Sequence, residues 1–153
     1  MGIYEDDLNT ALTGVFNSIT KIEERSLKLF GRPDLSMSEV HLIEAAGKNR
    51  PEGSSITEIA AELDITLSSV TISINKLAKK GYVLKTRSQN DGRMVFVRLT
   101  PLGRKIDNAH RYFHRQMARS ASAGFTDAER RSLLAGTEKL GKFLKETLKK
   151  LED

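Results

Sequence analysis

The sequence predicts a mainly α-helical protein with a small β-wing, a winged helix-turn-helix set between long N- and C-terminal helices. Three observations predict it. Residues 55–80 read as a short amphipathic helix, a three-residue turn and a second amphipathic helix. Directly after them, two β-prone runs (residues 82–87 and 94–99) flank the turn-rich stretch Ser88-Gln89-Asn90-Asp91-Gly92-Arg93. At both ends of the chain, apolar residues recur at helical spacing over several turns.

Length and composition narrow the classes. A chain of 153 residues is one domain, or one lobe with extensions that pack against a partner. Hydrophobic residues at 39% and charged residues at 29% describe a globular protein rather than a disordered one. There is no Cys, which excludes disulfides and thiolate metal sites. No apolar run approaches the roughly 18 residues of a membrane span, and the first residues lack the basic-then-apolar order of a secretory signal. The expectation is a cytoplasmic protein with no membrane partner and no cofactor. With no Gly-rich phosphate loop and no Ser/His/acid set on the expected loops, it is not expected to be an enzyme.

Taken in order, residues 4–30 form one long helix. Leu8, Leu12, Val15, Phe16, Ile19, Ile22 and Leu29 keep its period until Gly31-Arg32-Pro33 stops it. Ser36, with Glu39 three residues on, is a capping box opening a second helix, whose apolar positions are Val40, Leu42, Ile43 and Ala46. Ser55 and Glu58 repeat the device ahead of Ile56, Ile59, Ala60 and Leu63. Asp64-Ile65-Thr66 then turns the chain into a helix over residues 67–80, ended by Gly81.

That helix has two distinct faces. Leu67, Val70, Ile74 and Leu77 form an apolar stripe. At 100° per residue the opposite side carries Ser68, Ser69, Ile72, Asn75, Lys76 and Lys79, with Thr66 and Thr71 close by. Hydroxyls and an amide can hydrogen-bond base edges or phosphates. An aliphatic can touch a thymine methyl, and lysines neutralise phosphates. The face suits a helix that enters a DNA major groove.

Charge supports this. Residues 66–105 hold nine basic side chains and one acid, a net +8 in a chain whose total is +5, so the remainder is −3. A basic stripe on a slightly acidic protein is the footprint of a polyanion. The hairpin over residues 82–99 is then a wing. Arg87 stands beside its tip. Arg93, at the tip and steadied by Asp91, is placed to reach a minor groove.

Thr100 caps, and Pro101 begins, a fifth helix with Leu102, Ile106, Ala109, His110, Phe113 and Met117 on its stripe. Thr126 and Glu129 open a last helix carrying Leu133, Leu140, Leu144, Leu148 and Leu151. The expected division is a winged helix-turn-helix DNA-binding domain over residues 34–100 and a helical dimerisation region from residues 1–33 and 101–153. A two-fold homodimer would set two recognition helices about 34 Å apart, matching double-stranded DNA with a pseudo-palindromic operator.

The stretch SITEIAAELDITLSSVTISINKLAKKGYVLKTRSQNDGRMVFVRLTPLGRKI resembles the MarR family of bacterial transcription regulators, and the likeness extends over essentially the whole chain. It carries an Asp-x-Arg wing (Asp91, Arg93) and a Leu-Thr-x-x-Gly exit (Leu99, Thr100, Gly103). Many members have a second basic residue in the wing where this chain has Gly92. VFNSITKIEERSL, SMSEVHLIEAAGK, LDITLSSVTISINKL and HRYFHRQM are similar to repressors of fatty-acid biosynthesis genes in Gram-positive bacteria. That resemblance implies a homodimeric repressor with long-chain acyl-acyl carrier protein as corepressor. The acyl chain is expected among Phe16, Ile19, Leu27, Val40, Ile43, His110, Phe113 and Met117. Arg25, Lys28, Arg32 and Arg111 are expected to receive the acidic carrier.

A second reading is control by another small ligand or by zinc. His110 and His114 stand at i and i+4, a spacing that can hold a metal, with Asp107 one turn earlier and His41 elsewhere. Against it, His110 lies on the apolar stripe, where a hydrogen-bonded core histidine is the commoner role.

Overall fold

The computed structural model describes residues 2–29, 31–49, 53–87 and 94–152. It contains six helices and three strands among those residues: α1 Ile3–Leu29, α2 Met37–Ala46, β1 Ser54–Ser55, α3 Ile56–Leu63, α4 Leu67–Lys79, β2 Val83–Arg87, β3 Val95–Leu99, α5 Pro101–Ala121 and α6 Asp127–Glu152. The chain divides into two compact units, Met1–Arg111 and Tyr112–Asp153.

Capping chemistry sets the helix starts. Ser36 Oγ accepts from the Glu39 N–H at 3.2 Å while the Ser36 N–H donates to Glu39 Oε2 at 3.0 Å. Ser55 and Glu58 do the same at 3.1 and 2.7 Å. Each box satisfies two N–H groups that a helix start would otherwise leave open. Thr126 and Glu129 close a third at the head of α6. There, hydrogen bonds from the Thr126 N–H and hydroxyl hold the Glu129 carboxyl below its ordinary value. Between α3 and α4, Asp64 sits in the left-handed region (φ 53°, ψ 50°), a conformation aspartate tolerates better than most residues. Its N–H bonds the Ala60 carbonyl, which makes the turn tight.

The core of the first unit is built from the stripes the sequence marks. Val40, Ile43, Ile59, Val70, Ile74, Leu77 and Val97 have no exposure, and Leu35, Leu42, Tyr82, Val83, Leu99 and Ile106 close around them. Each such aliphatic contributes about 1.5–3 kcal/mol on burial. Leu67 departs from expectation: it is 53% exposed. It is the first residue of α4, at the edge of the stripe, and the core residues of that helix begin one turn later.

The sheet is antiparallel with order β1-β3-β2, Lys85 opposite Val97 and Ser54 opposite the same residue on the other side. Strand β1 is not among the elements expected from the sequence. Its position depends on Gly53 (φ +88°), where a Cβ would collide with the Val97 carbonyl. Gly103 has a similar duty in α5. A Cβ there would strike the Tyr82 carbonyl, so glycine lets the helix begin against the strand entry. Thr100 completes that junction, donating to the Gly81 carbonyl at 2.7 Å and accepting from the Gly103 N–H at 3.0 Å.

Two polar ties hold the end of α4. Lys80 Nζ pairs with Glu39 at 2.7 Å and also reaches the Asp34 carbonyl. Tyr82 Oη donates to Asp34 at 2.9 Å, and burial together with that carboxylate raises the phenol above its ordinary value. The C-terminal end of α4 is thereby fastened to the start of α2.

The long terminal helices look different. In α1 the single buried residue is Ser26, and Leu8, Leu12, Val15, Phe16, Ile19, Ile22 and Leu29 are all exposed. The expected end at residue 30 lies outside the described residues. In α6, Leu133, Leu144, Leu148 and Leu151 are exposed and Leu140 is half-buried. No helix among the described residues is long and apolar enough to cross a membrane.

Candidate nucleic-acid interface

The exposed side of α4 is organised from its first turn. Thr66 Oγ1 accepts from the Ser69 N–H at 3.2 Å, donates to Ser69 Oγ at 2.9 Å and lies 3.0 Å from Ser68 Oγ. Three hydroxyls are thus gathered where the helix N-terminus presents open N–H groups and a positive dipole end, the natural seat of a phosphate. Thr71 donates back to the Leu67 carbonyl at 2.8 Å. Ser68, Ser69, Thr71, Lys76 and Lys79 are exposed, and Ile72 is 56% exposed, far more than an aliphatic needs for folding.

Asn75 differs from its neighbours. It is half-buried and accepts from Lys85 Nζ at 2.5 Å. From the sequence Asn75 is expected to hydrogen-bond base edges or phosphates; in the fold its Oδ1 accepts from a β2 lysine, drawn onto the side of α4. By sequence Lys85 counts only as charge. The pairing that recruits it comes from strand-to-helix geometry, which leaves no trace in local spacing. Arg87, at the end of β2, is exposed. Lys80 leaves the basic face, since Glu39 neutralises it. Burial pushes the Glu39 carboxyl up, but the bonds from Lys80 and Ser36 outweigh that and hold it below its ordinary value. Arg104 is likewise engaged, donating to the Leu99 carbonyl at 2.7 Å. Asp91 and Arg93, the wing-tip pair, lie outside the described residues.

Residues 32–109, about half the chain, match the family described as transcriptional regulator SarA/Rot. The fold matches a crystal structure of Streptococcus pneumoniae FabT in complex with DNA at 34% identity and a TM-score of 0.85, covering 93% of this chain and 98% of that one. The chain belongs to the MarR/SarA family of transcriptional regulators. Its members are winged-helix regulators, not enzymes. Among curated relatives, the HTH-type transcriptional regulator YhjH of Bacillus subtilis is 31% identical over 85 residues, 56% of this chain and 47% of YhjH. This chain therefore covers about half the length of that relative. YpoP of the same organism is 27% identical over 89% of this chain and 92% of YpoP.

For a MarR/SarA regulator the other expected sites are as informative for where they fall. Of the residues marked for an acyl chain, Val40 and Ile43 have no exposure and are occupied in core packing, Leu27 is half-buried against that core, and Phe16 and Ile19 are exposed on α1. Phe113 and Met117 belong to the second unit, half-buried. Arg111, marked for the carrier protein, is already bound to Asp107 at 2.7 Å.

His110 is 1% exposed, and its Nδ1 lies 3.1 Å from Glu44 Oε2. This is the hydrogen-bonded core role that its place on the stripe suggested. Of the metal alternative, His41 and His110 come together, with Glu23 as third member. One ligand atom from each lies within 4.8 Å of the others. His114 is not in that group; its ring stands edge-on to Phe113 at 5.4 Å. Glu23 and Glu44 escaped sequence reasoning because nothing in the spacing of α1 and α2 says that these helices meet α5.

Proposed function

We propose that the chain is a homodimeric repressor that binds a pseudo-palindromic DNA operator through α4 and the wing, and that it controls fatty-acid biosynthesis genes with long-chain acyl-acyl carrier protein as corepressor. One observation carries the DNA reading: the exposed hydroxyl, aliphatic and lysine face of α4 in a fold 34% identical to a FabT solved with DNA. Ser68, Ser69 and Thr71 read base edges or phosphates, and Ile72 meets thymine methyls. Lys76, Lys79, Lys85 and Arg87 neutralise phosphates, while Arg93, held by Asp91, enters the minor groove. Residues 34–100 serve as the DNA-binding domain; residues 1–33 and 101–153 serve dimerisation. The apolar faces of α1 and α6 supply the surface that a second copy covers. The acyl group draws on exposed Phe16 and Ile19, and Arg25, Lys28 and Arg32 receive the acidic carrier.

Gel-shift titration against promoter fragments tests both layers. DNA affinity falls steeply with salt, each neutralised phosphate adding about 0.9 to the log–log slope. Long-chain acyl-acyl carrier protein tightens the midpoint, whereas the unacylated carrier does not. A flat salt response sinks the DNA reading; an unmoved midpoint sinks only the corepressor.

A further inference from the structure

The bond between Asn75 and Lys85 divides the work of α4. Asn75 Oδ1 accepts from Lys85 Nζ at 2.5 Å, joining residues ten apart in the chain. We propose that Asn75 is a positioning residue, which holds the Lys85 ammonium for a DNA phosphate and reads no base. Sequence is then read by the first half of α4, and the second half grips the backbone of any duplex. This role rests on the DNA reading of α4 proposed above.

The chemistry of the amide decides first. An ammonium only donates, so the atom facing it must be the amide oxygen, and the orientation of Asn75 follows from its partner. Reading adenine takes both ends of an asparagine amide, the oxygen accepting from N6 and the nitrogen donating to N7. With the oxygen engaged by Lys85, that bidentate pairing is lost. Asn75 is also half-buried, whereas Ser68, Ser69, Thr71 and Ile72, up to two turns earlier, are exposed.

The fold explains why a strand lysine arrives there. Lys85 stands opposite Val97, and Val83 opposite Leu99. Residues directly opposite in a sheet share a face, and so do alternate residues along a strand. Val83, Val97 and Leu99 are buried, so Lys85 belongs to the row that β2 turns toward the core. That row leaves the core after Val83, and Lys85 emerges beside α4. Arg87 is its next member and is exposed. A lysine on its flexible four-carbon stem samples many positions when exposed, and the amide limits them to one.

Charge separates this bond from the clasp on Lys80. Glu39 holds Lys80 with a carboxylate and cancels its charge. Asn75 is neutral, so it orients Lys85 and leaves the full positive charge and the remaining N–H donors for a phosphate. Lys76 and Lys79 are exposed on the same stretch of α4. The C-terminal half of the helix and the start of the wing thereby form one cationic set, with an amide as its bracket.

The test uses the full chain with Asn75→Ala, Lys85→Gln and the double variant. DNA selected in vitro from a random pool by the unmodified chain serves as the specific duplex, and a scrambled duplex of equal length as the non-specific one. Asn75→Ala should weaken both similarly, about threefold to tenfold at about 0.1 M salt, leaving their ratio and the selected base preference unchanged. Lys85→Gln should match or exceed that loss and lower the log–log salt slope by about 0.9. On the Lys85→Gln background, Asn75→Ala should add less than about twofold, since the residue it positions is gone. Circular dichroism and thermal unfolding monitor the fold of each variant. Lys85 is exposed, so Lys85→Gln tests the proposal even where Asn75→Ala disturbs the helix. A base preference that shifts under Asn75→Ala, an additive loss in the double variant, or an unchanged salt slope for Lys85→Gln overturns the proposal while operator binding stands. An unmodified chain that enriches no duplex overturns the DNA reading, and this role with it.

Discussion

Helices α1 and α4 carry the same sequence signal and have opposite fates. Both place aliphatics at helical spacing. In α4, Val70, Ile74 and Leu77 are fully buried and the residues left outside are polar, apart from Leu67 and Ile72. In α1, the stripe from Leu8 to Leu29 stays exposed, and Ser26 alone is buried. Periodicity reports which residues share a face. It does not report what covers the face, because that depends on elements far along the chain or on another chain altogether. The contrast teaches that the winged helix satisfies its own apolar surface, whereas α1 carries surface of a kind that other molecules cover.

Paired substitutions would break this contrast at its strongest point. Ile74→Asp places a charge in the core and should cost more than about 4 kcal/mol, enough to abolish cooperative thermal unfolding. Phe16→Asp should leave helicity and unfolding of the winged helix nearly unchanged and shift the sedimentation coefficient toward that of a monomer. If Phe16→Asp unfolds the protein instead, the two helices are alike and the contrast fails.

The next largest effect sharpens the exposed side of α4. Ile72→Asp should reduce specific operator binding by about 100-fold or more, since it removes an apolar contact and sets an anion against phosphate. Circular dichroism should not change. A misfolded variant would show that Ile72 belongs with the core. Arg93→Ala should be milder, about tenfold to 100-fold in gel-shift midpoint with the oligomer intact, in line with roughly 1–3 kcal/mol for a groove contact. Unchanged affinity would remove the wing from DNA recognition.

The smallest effect concerns the clasp behind α4. Glu39 has its carboxyl below the ordinary value of 4.5, so its bonds to Lys80 and Ser36 stabilise the fold fully above that pH. The contribution is lost as pH falls through the lowered value, because the unfolded chain then takes up the proton first. Urea unfolding at pH 7 and in the acid limb should show Glu39→Gln less stable at neutral pH, by about 1 kcal/mol for a partly exposed pair, with the difference narrowing toward acid. A difference that grows with acidity would show that the pair does not stabilise the fold.

Much of the interface was legible because its physics is local. Ser36, Ser55 and Thr126 cap helices through groups three residues away, and each acts as its sequence position implies. The outward side of α4 followed from 100° geometry alone. Asn75 was not legible in the same way. Its bond to Lys85 joins a helix to a strand ten residues on, and only the fold makes them neighbours. Lys80 counts toward the charge of residues 66–105, and its pairing with Glu39, 41 residues away, is equally invisible in local spacing.

The amino-acid order by itself determined the helix starts, the turn at Asp64, the two faces of α4 and the family. These rest on interactions within a turn or two and on residue patterns shared with relatives. Tertiary structure alone decided that Ser54 and Ser55 form a third strand and that Glu23, His41, Glu44 and His110 meet. Those outcomes depend on packing between elements distant in sequence, where a single close approach, such as Gly53 against Val97, selects the register.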